Sequence, residues 1–293
     1  MKSLPQVTLL AVDTRRPDLA LQALLRCSQQ LLFADILLLC HQEFCDSPLA
    51  QTAIQQGIRC IAIPPLDCAK GYSTLMLKGL LPYVHTSHLL VAQWDGFVVN
   101  ADQWDDGFLQ WDYIGAPWPT GKPGKQVGNG GFSLRSRRLL EALATVDIEN
   151  PHPEDKVLVH YCTEQLAKTW QLRIAPVEIA QRFAFERGNW RAHIFGIHGL
   201  FNLWRLMPPQ ELLPLLRGLD TCILKGKDGK DLCKALIQQG RWDEAELIIQ
   251  RRTRFDRFKA STHRLRLRLL LQRIIYKWRF GKTRFRSAPE VSK

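Results

Sequence analysis

No apolar run in this sequence approaches the roughly 18 residues that a bilayer-spanning helix needs. No two of its eight cysteines (Cys27, Cys40, Cys45, Cys60, Cys68, Cys162, Cys222 and Cys233) stand in a Cys-x-x-Cys pair. That spacing argues against a paired-cysteine zinc site and against a disulfide framework, so the thiols read as reduced and mostly buried. A Gly-x-Gly-x-x-Gly fingerprint after the first strand is missing, as is a Walker lysine motif. The apolar stretch 4–12 is interrupted by Pro5 and Gln6, closed by Asp13, and followed by no small-residue cleavage site. It reads as the first strand of a cytosolic protein.

Basic charge is concentrated in one place. Residues 251–286 hold fourteen Lys or Arg and a single acid, Asp256, so the net charge of +12 belongs to this tail and the rest sums to −1. With 293 residues, 46% of them hydrophobic and 23% charged, the chain can bury a substantial core.

Hydrophobic periodicity then places the elements. Residues 7–12, 34–40, 59–63 and 89–92 are short apolar runs of buried-strand type. Between them, Pro17 and Asp18 open a helix carrying Leu21, Leu24, Leu25 and Leu31 at helical spacing. A second helix covers 47–56 and stops at Gly57. A third covers 72–84, with Leu75, Leu77, Leu81 and Val84 facing a core. This alternation predicts an α/β fold with a mixed, mostly parallel sheet flanked by helices. Further on, 120–126 is a polar loop, 136–144 a helix opened by Arg137 and Arg138, 150–168 a turn feeding a helix, and 172–174 a short strand. From 208 onward the pattern is wholly helical. Two domains are expected, 1–207 and an all-helical extension at 208–293.

Four loops carry candidate chemistry. Asp95 follows a buried strand and precedes Gly96; an acid there is poorly placed for packing, and open α/β sheets bind ligands at strand ends. Its plain structural alternative is a turn cap. The run Gly128, Asn129, Gly130 and Gly131 is either a tight turn needing positive φ or a close backbone approach to a sugar or phosphate. Glu154 and Asp155 at a helix start complement the macrodipole, and His198 before Gly199 has the context of a packed loop histidine. An Asp and a His on separate loops would also suit a divalent cation that keeps water and substrate phosphates. A further carboxylate would then be left for general-base work.

Taken in order, Tyr72-Ser-x3-Leu-Lys78, QWDGF at 93–97, DYIGAPW at 112–118, GNGGFSLRS at 128–136, PED at 153–155 and FGIHG at 195–199 resemble a bacterial family of unknown function related to GT-A glycosyltransferases. The resemblance spans residues 5–205. It implies a GT-A-like, Rossmann-related fold and a transferase using a nucleotide-sugar donor with Mn²⁺ or Mg²⁺. Asp95 would be the last acid of the family's Asp-x-Asp, with Gln93 standing where the first acid would be. His198 matches a late metal-binding histidine, and Gly130 and Gly131 match the glycine pair that lets the sugar approach. Asp155 or Glu154 matches the acceptor-deprotonating acid, and Asp13 and Arg15 would lie near the nucleobase and ribose. Trp118 and Asn129 are expected on the acceptor side, whereas Trp104 is expected to be structural. The implied acceptor is a surface polysaccharide or lipid-linked glycan. Gln93 also keeps open a protein of this fold that binds nucleotide or carbohydrate without catalysis.

In the tail, Gly240 separates two helices that resemble part of one tetratricopeptide unit, and a single unit makes no array. Leu267, Leu270, Leu271, Ile274, Ile275 and Trp278 follow helical spacing with basic residues on other faces. That pattern reads as a peripheral anchor on the inner membrane face or a partner-binding helix, the anchor ranked first. The alternatives are a packed helix with a solvated basic face and, ranked below both, nucleic-acid binding.

Overall fold

A computed structural model of the chain describes residues 1–121, 125–161 and 165–281. The chain divides into two compact units, Met1–His198 and Gly199–Lys293, a division earlier than the 207/208 boundary read from the sequence.

The first unit is a mixed α/β fold around a six-stranded sheet of order β3-β2-β1-β4-β7-β6. Its strands are β1 (Lys2–Val12), β2 (Leu31–Cys40), β3 (Arg59–Ala62), β4 (His88–Val91), β6 (Tyr113–Gly115) and β7 (Ser133–Ser136). The first four run parallel, joined by crossovers, while β7 pairs antiparallel with β4 and β6. Parallel strands covered on both faces need continuous apolar runs, and Leu9, Leu10, Leu37, Leu38, Leu89 and Leu90 are all fully buried. A second sheet joins β5 (Gly96–Val98), β9 (Gly196–His198) and β8 (Ala184–Phe185).

Helix Pro17–Ser28 ends before Leu31, which instead opens β2 and pairs with Lys2. The expected helix at 72–84 is not continuous. It runs as an α-helix over Ala69–Thr74, a π-turn over Leu75–Gly79 and a 3-10 turn over Leu81–Tyr83. Pro82 cannot donate the helical hydrogen bond, which stops propagation. Within the π-turn, Lys78 Nζ donates to the carbonyls of Leu143, Ala144 and Val146 and so caps helix Arg137–Thr145. The helix after Pro153 covers Glu154–Tyr161; a second piece covers Ala167–Trp170, and residues 162–164 of the expected helix lie outside the described residues. The expected strand at 172–174 reduces to one bridge, Ile174 to Tyr113. Part of the polar loop, 122–124, also lies outside the described residues.

The second unit is helical: a 3-10 turn at Leu200–Arg205, then helices Pro209–Gly218, Thr221–Lys225, Lys227–Gln238, Trp242–Phe255 and Ala260–Gly281. Gly240, at φ +72°, turns the chain between the third and fourth of these helices. Leu212, Leu232, Leu236, Ile248 and Leu269 are among its buried side chains. Among the described residues no helix is long and apolar enough to cross a membrane. The described cysteines are all free, but only Cys27, Cys40 and Cys233 are buried, while Cys68 and Cys222 are exposed. Cys162 lies outside the described residues.

Candidate functional site

Beyond the end of β4, Gln93 and Gly96 exchange two backbone hydrogen bonds of 3.0 and 2.8 Å. Trp94 and Asp95 form the tip of this tight turn, and β5 leaves it antiparallel to β9 with Gly96 opposite His198. That register sets His198 against the turn. Its Nε2 lies 3.6 Å from Asp95 Oδ1 and 3.2 Å from Gln93 Oε1. On the other edge of the ring, Nδ1 lies 2.9 Å from Asn129 Nδ2 and 3.9 Å from Glu186 Oε1.

Asn129 orients this ring. Its Oδ1 accepts from the backbone N–H of Gly131 at 3.2 Å, which turns its NH₂ toward Nδ1. Nδ1 is therefore the acceptor, and Nε2 carries the proton that faces Gln93. Gln93 in turn donates from Nε2 to Tyr72 Oη at 2.6 Å. A carboxylate at position 93 could only accept, so the amide is what joins a donor on one side to an acceptor on the other.

The glycine run is corrected in one respect. Asn129, at φ +62°, adopts the left-handed conformation, and Gly128, Gly130 and Gly131 do not. Asn tolerates that region through local hydrogen bonding. The glycines are there for close approach. A Cβ on Gly131 would sit 2.2 Å from His198 Nε2 and 2.6 Å from Gln93 Oε1; on Gly130 it would sit 2.3 Å from Glu154 Oε1.

Glu154 and Asp155 separate in role. Asp155 is half-buried and accepts from the N–H of Lys156 at 2.8 Å, whereas Glu154 is buried against Gly130. Burial pushes the Glu154 carboxyl above the usual carboxylate range; Asp155 adds to this and the Arg135 guanidinium opposes it. Arg135 is itself fully buried in β7 and donates to Ser133 Oγ and to the carbonyls of Met76 and Gly130. Burial also raises the Tyr72 phenol. For Glu186, burial acts upward, but the neighbouring His198 ring, the Asn129 amide and the Arg187 guanidinium outweigh it and hold the carboxyl below its ordinary range.

A raised carboxyl pKa contributes stability that is complete below the unfolded value and lost as pH rises through the folded one. Glu154→Gln is therefore expected to raise the melting temperature at pH 7.5, with the gain closing toward pH 4. An offset equal at both pH values would show that the ionisation of Glu154 is not its cause.

Asp13 and Arg15 line a cavity of about 320 Å³ together with Tyr72, Gln93, Trp94 and His152. Asp13 Oδ1 accepts from the N–H groups of Arg15 and Arg16 at 2.8 and 2.7 Å, shaping the turn after β1. Trp118 lines a separate cavity of about 270 Å³ with Phe185, Glu186, Arg187 and Arg191. Trp104 is structural as expected, 5.1 Å and edge-on from Phe195 and nearly buried. The structure thus brings together Gln93, Asp95, Asn129, Gly131 and His198. It sets Gly130 with Glu154, and Asp13 with Arg15, beside them through Tyr72 and Gln93.

Sequence reading missed Glu186, Tyr72 and Arg135 as parts of this cluster. Glu186 lies in a stretch with no periodicity. Arg135 carried a signal, a charge inside an otherwise strand-like run.

Among the described residues, no group of three His, Cys, Asp or Glu side chains could hold a metal ion. What the site offers an ion is two hard oxygens, from Asp95 and Gln93, and one imidazole nitrogen. That set suits Mn²⁺ or Mg²⁺ retaining water or phosphate oxygens. Nε2 could serve as a ligand only with its proton moved to Nδ1 and the Asn129 amide turned to present its oxygen there.

Residues 58–198 match the family model of a protein of unknown function, DUF5672. The match takes in β3 through β9, ends on His198, and includes every residue of the Asp95–His198 cluster, but not Asp13 or Arg15. No curated protein matches the chain. Among solved structures, the chain is similar to the mannosyltransferase PcManGT from Pyrobaculum calidifontis, solved in complex with GDP-Man and Mn²⁺. The two are 11% identical with a TM-score of 0.39, over 94% of this chain and 88% of that one.

Proposed function

We propose that this protein transfers a sugar from a nucleotide-sugar donor to a glycan or lipid-linked acceptor. The observation that carries the reading is the meeting of Asp95, His198 and Gln93 beyond the end of β4, pressed against the backbone of Gly131. Strand ends of open α/β sheets are where such ligands bind. The adjoining cavity, with Asp13, Arg15 and Trp94, gives the nucleoside a polar rim and a flat face. Glu154, buried beside Gly130 with its pKa raised by that burial, is the carboxylate best suited to take the acceptor proton; Asp155 adjoins it. Trp118 and Asn129 lie on the acceptor side. When bound, Mn²⁺ or Mg²⁺ would neutralise charge developing on the leaving diphosphate.

A thermal-shift panel of nucleotide sugars, with and without Mn²⁺, tests this. A ligand at about 100 times its Kd adds about 2.7 kcal/mol, so at least one donor is expected to raise the melting temperature by several degrees, and only when the metal is present. No shift with any nucleotide sugar, with Mn²⁺ or Mg²⁺, rejects the reading. Gln93 favours a second reading, binding without transfer. It would show as a donor-induced shift accompanied by neither hydrolysis nor transfer.

A further inference from the structure

Helix Ala260–Gly281 has two apolar sides, and the second unit uses one of them. Thr262, Leu265 and Leu269 are between 2% and 4% exposed. On that same side Tyr276 meets Trp242 edge-on with ring centroids 5.0 Å apart. Nearby, Arg273 pairs with Glu246 at 2.8 Å. At 3.6 residues per turn, Leu267, Leu270, Leu271, Ile274, Ile275 and Trp278 fall on the opposite side in an arc about 140° wide. Each of these six is 49% exposed or more, and Trp278 is 69% exposed. Arg266 and Lys277 border the arc on one flank and Arg268 on the other, with Arg264 at its N-terminal end. A contiguous exposed stripe of large apolar side chains marks an interaction surface.

We infer that this stripe seats the protein on an anionic lipid surface, its Leu, Ile and Trp side chains entering the headgroup boundary and its Arg and Lys borders meeting lipid phosphates. Charge complementarity selects this occupant. Residues 251–286 carry fourteen basic residues and one acid, and juxtamembrane basic clusters are drawn to anionic leaflets. Pairing with a second copy would bring two basic borders together. Nucleic acid would answer the charge but leave the Leu and Ile stripe in water. Amphipathic helices with basic polar faces and Leu or Trp on the other lie in the interface plane rather than across it. The inference stands apart from the transferase reading.

Co-sedimentation of the full chain with vesicles tests it. Binding to phosphatidylcholine vesicles containing about 30% phosphatidylserine is expected to exceed binding to phosphatidylcholine alone by at least tenfold, and to weaken as salt shortens the Debye length. Ile274→Glu should cost at least tenfold on the anionic vesicles. Because Ile274 is exposed, the melting temperature and any nucleotide-sugar shift should be unchanged, while Ile274→Trp should bind as well as the parent. Equal binding to both vesicle types, or an Ile274→Glu variant that binds like the parent, overturns the inference. So does a dimer in solution that Ile274→Glu dissolves, which would make a second copy the occupant. Duplex oligonucleotide binding tighter than vesicle binding and indifferent to Ile274→Glu overturns it in favour of nucleic acid.

Discussion

Asp95→Asn is expected to lower sugar transfer or donor hydrolysis by about 10²–10³-fold, the scale of removing one preorganised electrostatic group from a reacting centre. The substitution keeps the shape of the side chain and its place at the turn tip, and removes the charge that faces His198 Nε2 at 3.6 Å. Its backbone turn is closed by the paired Gln93 and Gly96. The melting temperature should therefore move by no more than about 3 °C. Activity assays and melts on the same preparation separate the outcomes. Full activity would remove Asp95 from the reaction, and a collapse in melting temperature would make it structural.

Gly115→Ala is expected to destabilise the first unit by about 3 kcal/mol or more, a loss of about 6–12 °C for a domain of this size. Gly115 pairs with Ser133 across β6 and β7, and the loop carrying Asn129 crosses directly over it. An added Cβ would lie 1.7 Å from the carbonyl oxygen of Gly128 and 2.6 Å from that of Asn129. Both obstacles are backbone, so no rotamer change relieves them; the loop must lift or β6 must shift. Lifting the loop would also move Asn129 away from His198. A lost donor-induced shift should thus accompany the lower melting temperature. An unchanged melting temperature would mean that the loop is not seated on β6 as described.

These two glycine-bearing motifs explain what was legible in advance. GNGG and DYIGAPW were visible as separate turns. Their mutual contact was not, because a missing Cβ records that something approaches without recording what. The same holds for the aromatic positions, where Trp104 and Trp118 differ only in what the fold packs against them.

Local chemistry, by itself, determined the four parallel strands, most of the helices, the mixed α/β class and the amphipathic tail. Apolar runs of four to eight residues and 3.6-residue periodicity are local properties that survive any tertiary arrangement. It also marked Asp95 as an acid at a strand end. Tertiary structure alone decided the company that acid keeps. The pairing of Gly96 with His198 brings together residues far apart in the chain, and Glu186 arrives behind the ring from a stretch without pattern. Register between distant strands depends on global packing rather than on either strand's own sequence. Gln93, read as a departure from an acid, became the amide that links Tyr72 to His198.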